Sequence, residues 1–171
     1  MTTPHLSMDL VSWARRAGYA ATADAVGALL YSAGGEHRYY VRQRQDDWFE
    51  LDQASRVGKP RFKLRAKTMD TLERHLFAAL GIIIRDDLGL PSLRIPHQPC
   101  DLAEGFTVSA MSADQFRTLS CVDAGPVAVA REETLSLLTL VPLSHFLRMT
   151  VRELEESFTS RSGSPLMSRW G

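Results

Sequence analysis

The chain has only two cysteines, Cys100 and Cys121, too few for a disulfide framework and consistent with a reduced compartment. It has no long hydrophobic run either. The most apolar windows, "LFAALGIII" and "LSLLTLVPL", fall well short of the roughly 20 residues that cross a bilayer, so no membrane partner is expected. Charge of one sign is also missing. Lys+Arg and Asp+Glu number 20 each, which removes the global electrostatic reason to expect nucleic acid. No G-x-x-x-x-G-K and no G-x-G-x-x-G after a strand offers a phosphate cradle, and no G-x-S-x-G exposes a serine nucleophile. The opening "MTTPHLSMDLVSWARR" lacks a basic region followed by an apolar core and a cleavage site, so a cytoplasmic location is expected.

What is present fits a single α+β domain spanning residues 1–171. The 44% apolar and 23% charged content is ordinary for a globular protein. A chain of this length buries roughly 70% of the surface its unfolded form exposes. Ser7 caps a predicted helix over "MDLVSWARRAG", which Gly18 stops. "GALLYS" and "RYYVRQ" read as strands joined through Ala33-Gly34-Gly35, and "WFELDQA" as the next. Arg61, Lys63, Arg65 and Lys67 then alternate with Phe62, Leu64 and Ala66, which predicts a strand with all four cations on one wet face.

Thr68 opens a long helix with Leu72, Leu76, Leu80 and Ile83 at helical spacing, closed by Gly89 and Pro91. "FTVSAM", "FRTLSCV" and "PVAVA" read as further strands. Pro142 predicts a break before a short helix over "LSHFLRM". Thr150 and Glu153 form a capping box for a last helix, and the tail "SRSGSPLMSRWG" reads as poorly regular. The expected architecture is an antiparallel sheet of about six to seven strands, packed by the long helix and by shorter N- and C-terminal helices.

Asp86 and Asp87 fall in the last turn of the long helix, where the backbone dipole favours cations. Compensation by Arg85 or Arg94 is the expected answer. Elsewhere His97 and Cys100, with Asp101 adjacent, suggest a thiol nucleophile or half a metal site. The other candidates, His75, Cys121 and His145, are scattered singly, so a loop histidine and an inert cysteine are the simpler reading. No catalytic, metal or cofactor-binding residue is assigned.

The order of features carries more. Trp13, Gly18 and Tyr19 in "W-x-x-x-x-G-Y", the "YYV" strand, the stretch "LERHLFAALGIIIRDDLGLPSL" and the ending "PLSHFLRMTVRELEESFTSRSGSPL" resemble the Immunity protein 61 family, which includes the antitoxin of the tuberculosis necrotizing toxin (TNT). The resemblance implies a cytoplasmic inhibitor, not an enzyme. Such a protein binds a cognate secreted toxin as a heterodimer and blocks its active site, and the TNT branch implies a toxin that hydrolyses NAD. A cleft for a dinucleotide carries cations or donors for the pyrophosphate, so an acidic, carbonyl-rich loop complements it. The 97–106 loop has that character. His97, Asp101, Leu102, Glu104, Gly105 and Phe106 are the candidate toxin-binding residues. Asp101 and Glu104 would imitate phosphate charge, and Leu102 or Phe106 would supply an apolar anchor. The alternatives are a secretion chaperone for a toxin partner and a small hydrolase using Cys100 or His97.

Overall fold

A computed structural model describes residues 4–170; residues 1–3 of the opening stretch, and residue 171, lie outside the described residues. Helix α1 (Met8–Arg16) starts at Ser7, whose hydroxyl accepts the Leu10 N–H. Five strands follow in meander order: β1 (Tyr19–Ala23), β2 (Ala28–Ser32), β3 (His37–Gln43), β4 (Phe49–Ser55) and β5 (Arg61–Ala66). Helix α2 (Met69–Asp87), capped by Thr68, then leads to β6 (Phe106–Val108), β7 (Phe116–Cys121) and β8 (Gly125–Arg131). Helices α3 (Glu133–Phe146) and α4 (Val151–Thr159) complete the order.

The eight strands form one antiparallel sheet ordered β1-β2-β3-β4-β5-β8-β7-β6. The expected six to seven strands become eight because β1, "YAATA", carries almost no hydrophobic alternation and is paired through its backbone to β2. Helices α1, α2 and α3 pack on one face of the sheet, and α4 packs on α2. Leu30, Val41, Leu51, Leu64, Leu119 and Ala128 from the strands meet Leu72, Leu76, Leu80, Leu140 and Phe158 from the helices in one core. Fully burying each of the leucine, valine and phenylalanine side chains is worth roughly 1.5–3 kcal/mol. The first helix is pinned at two points: the Trp13 indole donates to the Phe77 carbonyl at 2.9 Å, and the Ser7 N–H donates to the Glu73 carboxylate at 2.7 Å.

Three local expectations are corrected. The cations of β5 do not share one face. A bulge lets Leu51 pair with Leu64 but Asp52 with Phe62, so Arg61 lies opposite Gln53 on the helix-covered side of the sheet. Arg65 lies opposite Glu50 on the other side and pairs with it. One extra residue in a strand shifts everything beyond it to the opposite face. Pro142 does not break α3. It forfeits one helix bond at a cost of about 3 kcal/mol, but every residue from Leu140 to Phe146 is buried, and that packing wins. The tail is ordered as well: Leu166 is fully buried, and its N–H donates to the Ser157 hydroxyl at 2.9 Å.

The aspartates at the end of α2 are not compensated as expected. Arg85 is only 3% exposed and turns away from them. Its guanidinium donates to the carbonyls of Pro91 (2.5 Å), Ser160 (2.5 Å) and Arg161 (2.8 Å), with longer contacts at 3.4 Å to Ser157 and Phe158. It therefore caps the C-terminus of α4, where unpaired carbonyls and the helix dipole both favour a cation. Arg94 forms no ion pair either. Among the described residues the ion pairs are Arg42–Asp52, Arg44–Glu50, Arg65–Glu50 and Arg74–Asp70.

Replacing Arg85 with Met should lower stability by about 3 kcal/mol in chemical denaturation, because several carbonyls lose a charged donor together. Arg94→Met should stay within about 0.5 kcal/mol. On the same helix, burial pushes His75 down to about 4, with the charge of Lys63 acting in the same direction. The unfolded chain then takes up this proton first as pH falls through the ordinary histidine range towards about 4, so stability is lost across that window. His75→Gln should flatten that part of the dependence of Tm on pH; identical profiles for the two proteins would refute a shielded imidazole.

Candidate functional site

The loop between α2 and β6 is fixed by its backbone rather than by its side chains. A single turn of 3-10 helix over Pro99–Asp101 opens it, and the Asp101 carboxylate accepts the Gln98 N–H at 2.8 Å. From there the last two turns of α3 and the residues just beyond it take over. The Asp101 carbonyl accepts the His145 Nε2–H at 2.7 Å, which places the ring proton on Nε2 because a carbonyl cannot donate. The Ala103 N–H donates to the Ser144 hydroxyl at 3.0 Å, and that hydroxyl donates to the Val141 carbonyl at 2.6 Å. The Glu104 carbonyl accepts from Arg148 at 3.0 Å, and the Gly105 carbonyl accepts the Val122 N–H at 2.9 Å.

Arg148 links three parts of this arrangement. Its guanidinium lies 5.2 Å from the Phe106 ring centroid while holding Glu104, and its own carbonyl accepts from Arg169 in the tail at 3.2 Å. Gly105 is required here. It has φ +80, and a Cβ at this position would stand 2.6 Å from the Arg148 guanidinium. His145 also packs against Trp170, with ring centroids 4.2 Å apart and planes inclined by 47°. Burial lowers the His145 pKa; the Asp101 carbonyl opposes this, Arg169 reinforces it, and the Asp101 charge opposes it more weakly. Burial thus favours the neutral imidazole, while the bond to the Asp101 carbonyl favours the charged ring.

The six candidate residues fare differently. Glu104 is exposed, with its side chain free of any hydrogen bond among the described residues. Asp101 is committed to closing its own turn. Leu102 and Phe106 are partly buried and pack against the core, so they anchor the loop to the protein. His97 is half-buried and Cys100 exposed, and no hydrogen bond joins them. Among the described residues no group of three or more His, Cys, Asp or Glu side chains could hold a metal ion.

The sequence reading missed the other wall. Val122 and Asp123, in the β7–β8 turn, line a shallow polar depression with Leu102–Gly105, His145, Arg148 and Arg169. Asp123 is exposed, so the free carboxylates at this rim are Glu104 and Asp123 rather than Glu104 and Asp101. Four separate stretches of the chain, from Leu102 to Arg169, make this site, and no local spacing reveals it. The one available signal is the polar pair Ser144-His145 inside an otherwise apolar helical run, since buried polar groups need partners.

The family model for Immunity protein 61 matches residues 13–166. The Immunity factor for TNT of Mycobacterium tuberculosis (strain ATCC 25618 / H37Rv) is 28% identical over 170 residues, covering 96% of this chain and 94% of that protein. The Immunity factor for TNT homolog of Mycobacterium bovis (strain BCG / Pasteur 1173P2) matches with the same identity and coverage. A solved structure, Rv3902c from M. tuberculosis, has a TM-score of 0.81 at 27% identity and covers 97% of both chains.

Arg148→Ala should quicken amide exchange at 102–106 by about tenfold, the effect of losing one charged hydrogen bond, while exchange in the sheet is unchanged. Gly105→Ala should act the same way through displacement of Arg148. Unaltered exchange in both variants would mean that Arg148 does not hold the loop.

Proposed function

Because the chain belongs to the Immunity protein 61 family, we propose that it is a cytoplasmic immunity protein that binds a cognate secreted toxin one-to-one and occludes its active site, without chemistry of its own. Two relatives named for immunity to TNT support this role. Following the family resemblance, the toxin is an NAD glycohydrolase and the occluded site is its dinucleotide cleft. The observation that carries the occlusion reading is the backbone-anchored loop, held by Ser144, His145 and Arg148 with the Glu104 carboxylate left free.

A loop already held in one conformation loses little entropy on entering a cleft, which favours tight binding. Glu104 and the neighbouring Asp123 present negative charge where a cleft for a pyrophosphate presents positive charge. Leu102 and Phe106 act from behind, keeping the loop seated on its own core.

The test is NAD hydrolysis by the purified cognate toxin with increasing amounts of this protein. Stoichiometric inhibition is expected, and full NAD hydrolysis at a molar excess would overturn the reading. The double variant Glu104→Lys with Asp123→Lys should weaken toxin binding by about a hundredfold, since reversing two rim charges adds like-charge repulsion to lost attraction. Affinity within about twofold of the unaltered protein would remove this rim from the interface.

A further inference from the structure

Four features gather around the C-terminal half of α2. Ile82 is 59% exposed and Leu138, across from it on α3, is 43% exposed, with Leu135 one turn earlier at 49%. Val26, Val57 and Val122, also exposed, stand singly at turns, where they need no explanation. Second, Ile82 and Leu138 border a groove whose walls also include His75, Ala79, Leu93 and Ile95. His75 is held neutral there at physiological pH, so the wall carries no charge.

Third, Leu93 and Ile95 belong to a stretch that is paired to no strand among the described residues. Ser92 and Arg94 are exposed while Leu93 and Ile95 are half-buried, a strand-like alternation. Among the described residues, the backbone N–H groups of Ser92, Leu93, Arg94 and Ile95 find no protein acceptor. Fourth, Asp86 lies four residues beyond Ile82 and so continues the same helical face. It sits at the negative end of the α2 dipole, with no cation paired to it among the described residues, and Arg85 is committed to α4.

We propose that the groove between α2 and α3 seats an extended segment of the toxin that adds as a strand to Ser92–Ile95, places apolar side chains against Ile82 and Leu138, and directs a basic side chain to Asp86. This assignment rests on the proposed immunity role. Charge complementarity argues for the basic residue: a cation near Asp86 relieves the repulsion with the helix end that the free protein bears. Strand addition satisfies the open backbone groups while alternate side chains enter the groove. The stretch Ser92–Ile95 also runs directly into the 97–106 loop, so one toxin surface can reach both.

The experiment compares binding of the purified cognate toxin to the unaltered protein, to Ile82→Asp with Leu138→Asp, to Asp86→Lys with Asp87→Lys, and to Glu104→Lys with Asp123→Lys. The substituted groove residues are exposed, and an unchanged Tm verifies that each variant folds. Each groove pair should weaken binding by about tenfold or more. In the complex, amide exchange at 92–95 should slow. Groove variants that bind like the unaltered protein, while the Glu104/Asp123 variant weakens, would overturn the groove and leave the immunity role standing. Failure of the unaltered protein to bind the toxin would overturn both. An apolar variant that only converts a dimer of this chain to monomer would assign the groove to a second copy and overturn the toxin segment.

Discussion

The Arg85 guanidinium is the interaction on which the rest of this structure depends. It is buried without a carboxylate partner among the described residues, which would be prohibitive for an isolated charge. What makes it tolerable is a ring of carbonyls from the end of α4 and from Pro91. These are groups a helix end leaves unpaired, and they carry the partial negative charge of the α4 dipole. The same contact brings α4 onto α2. Gly81 permits the approach, since a Cβ there would meet the Phe158 ring at 2.5 Å. Sequence, packing and electrostatics thus converge on one helix pair.

From that pair the effect reaches the candidate site. With α4 docked, the Ser157 hydroxyl receives the Leu166 N–H and fixes the start of the tail. The tail then returns to α3, where Trp170 packs against His145 and Arg169 donates to the Arg148 carbonyl. Those two α3-side residues hold the Asp101 and Glu104 carbonyls. A series of packed and hydrogen-bonded contacts therefore connects Arg85 to the loop, each with its own partner on the next element.

The legible parts of this fold were those with a local signature. The caps at Ser7, Thr68 and Thr150 accept the expected amides, and the apolar period of α2 runs through Leu72, Leu76 and Leu80 into the core. The errors share a cause, which is that a non-local contact outweighed a local preference. β1 is a strand through pairing, the bulge opposite Asp52 divides the cations of β5, and Pro142 stays helical because its neighbours are buried. The candidate loop itself was visible as an acidic, irregular stretch. Its support by Ser144, His145 and Arg148 was not, because hydrogen bonds across about 40 residues leave no periodic trace.

The aspartates at the end of α2 illustrate why a sequence anomaly is informative even when its first explanation fails. An arginine stands directly before them, and compensation by it is the economical reading. Arg85 cannot serve both helix ends, because its donors already face the carbonyls beyond α4. An exposed carboxylate against a helix dipole costs only about 0.3–1 kcal/mol, which the buried core offsets many times over. Folding therefore neither requires these charges nor expels them. A carboxylate on the same helical face as Ile82, with no cation paired to it among the described residues, is a small cost that a basic group on a second molecule would offset.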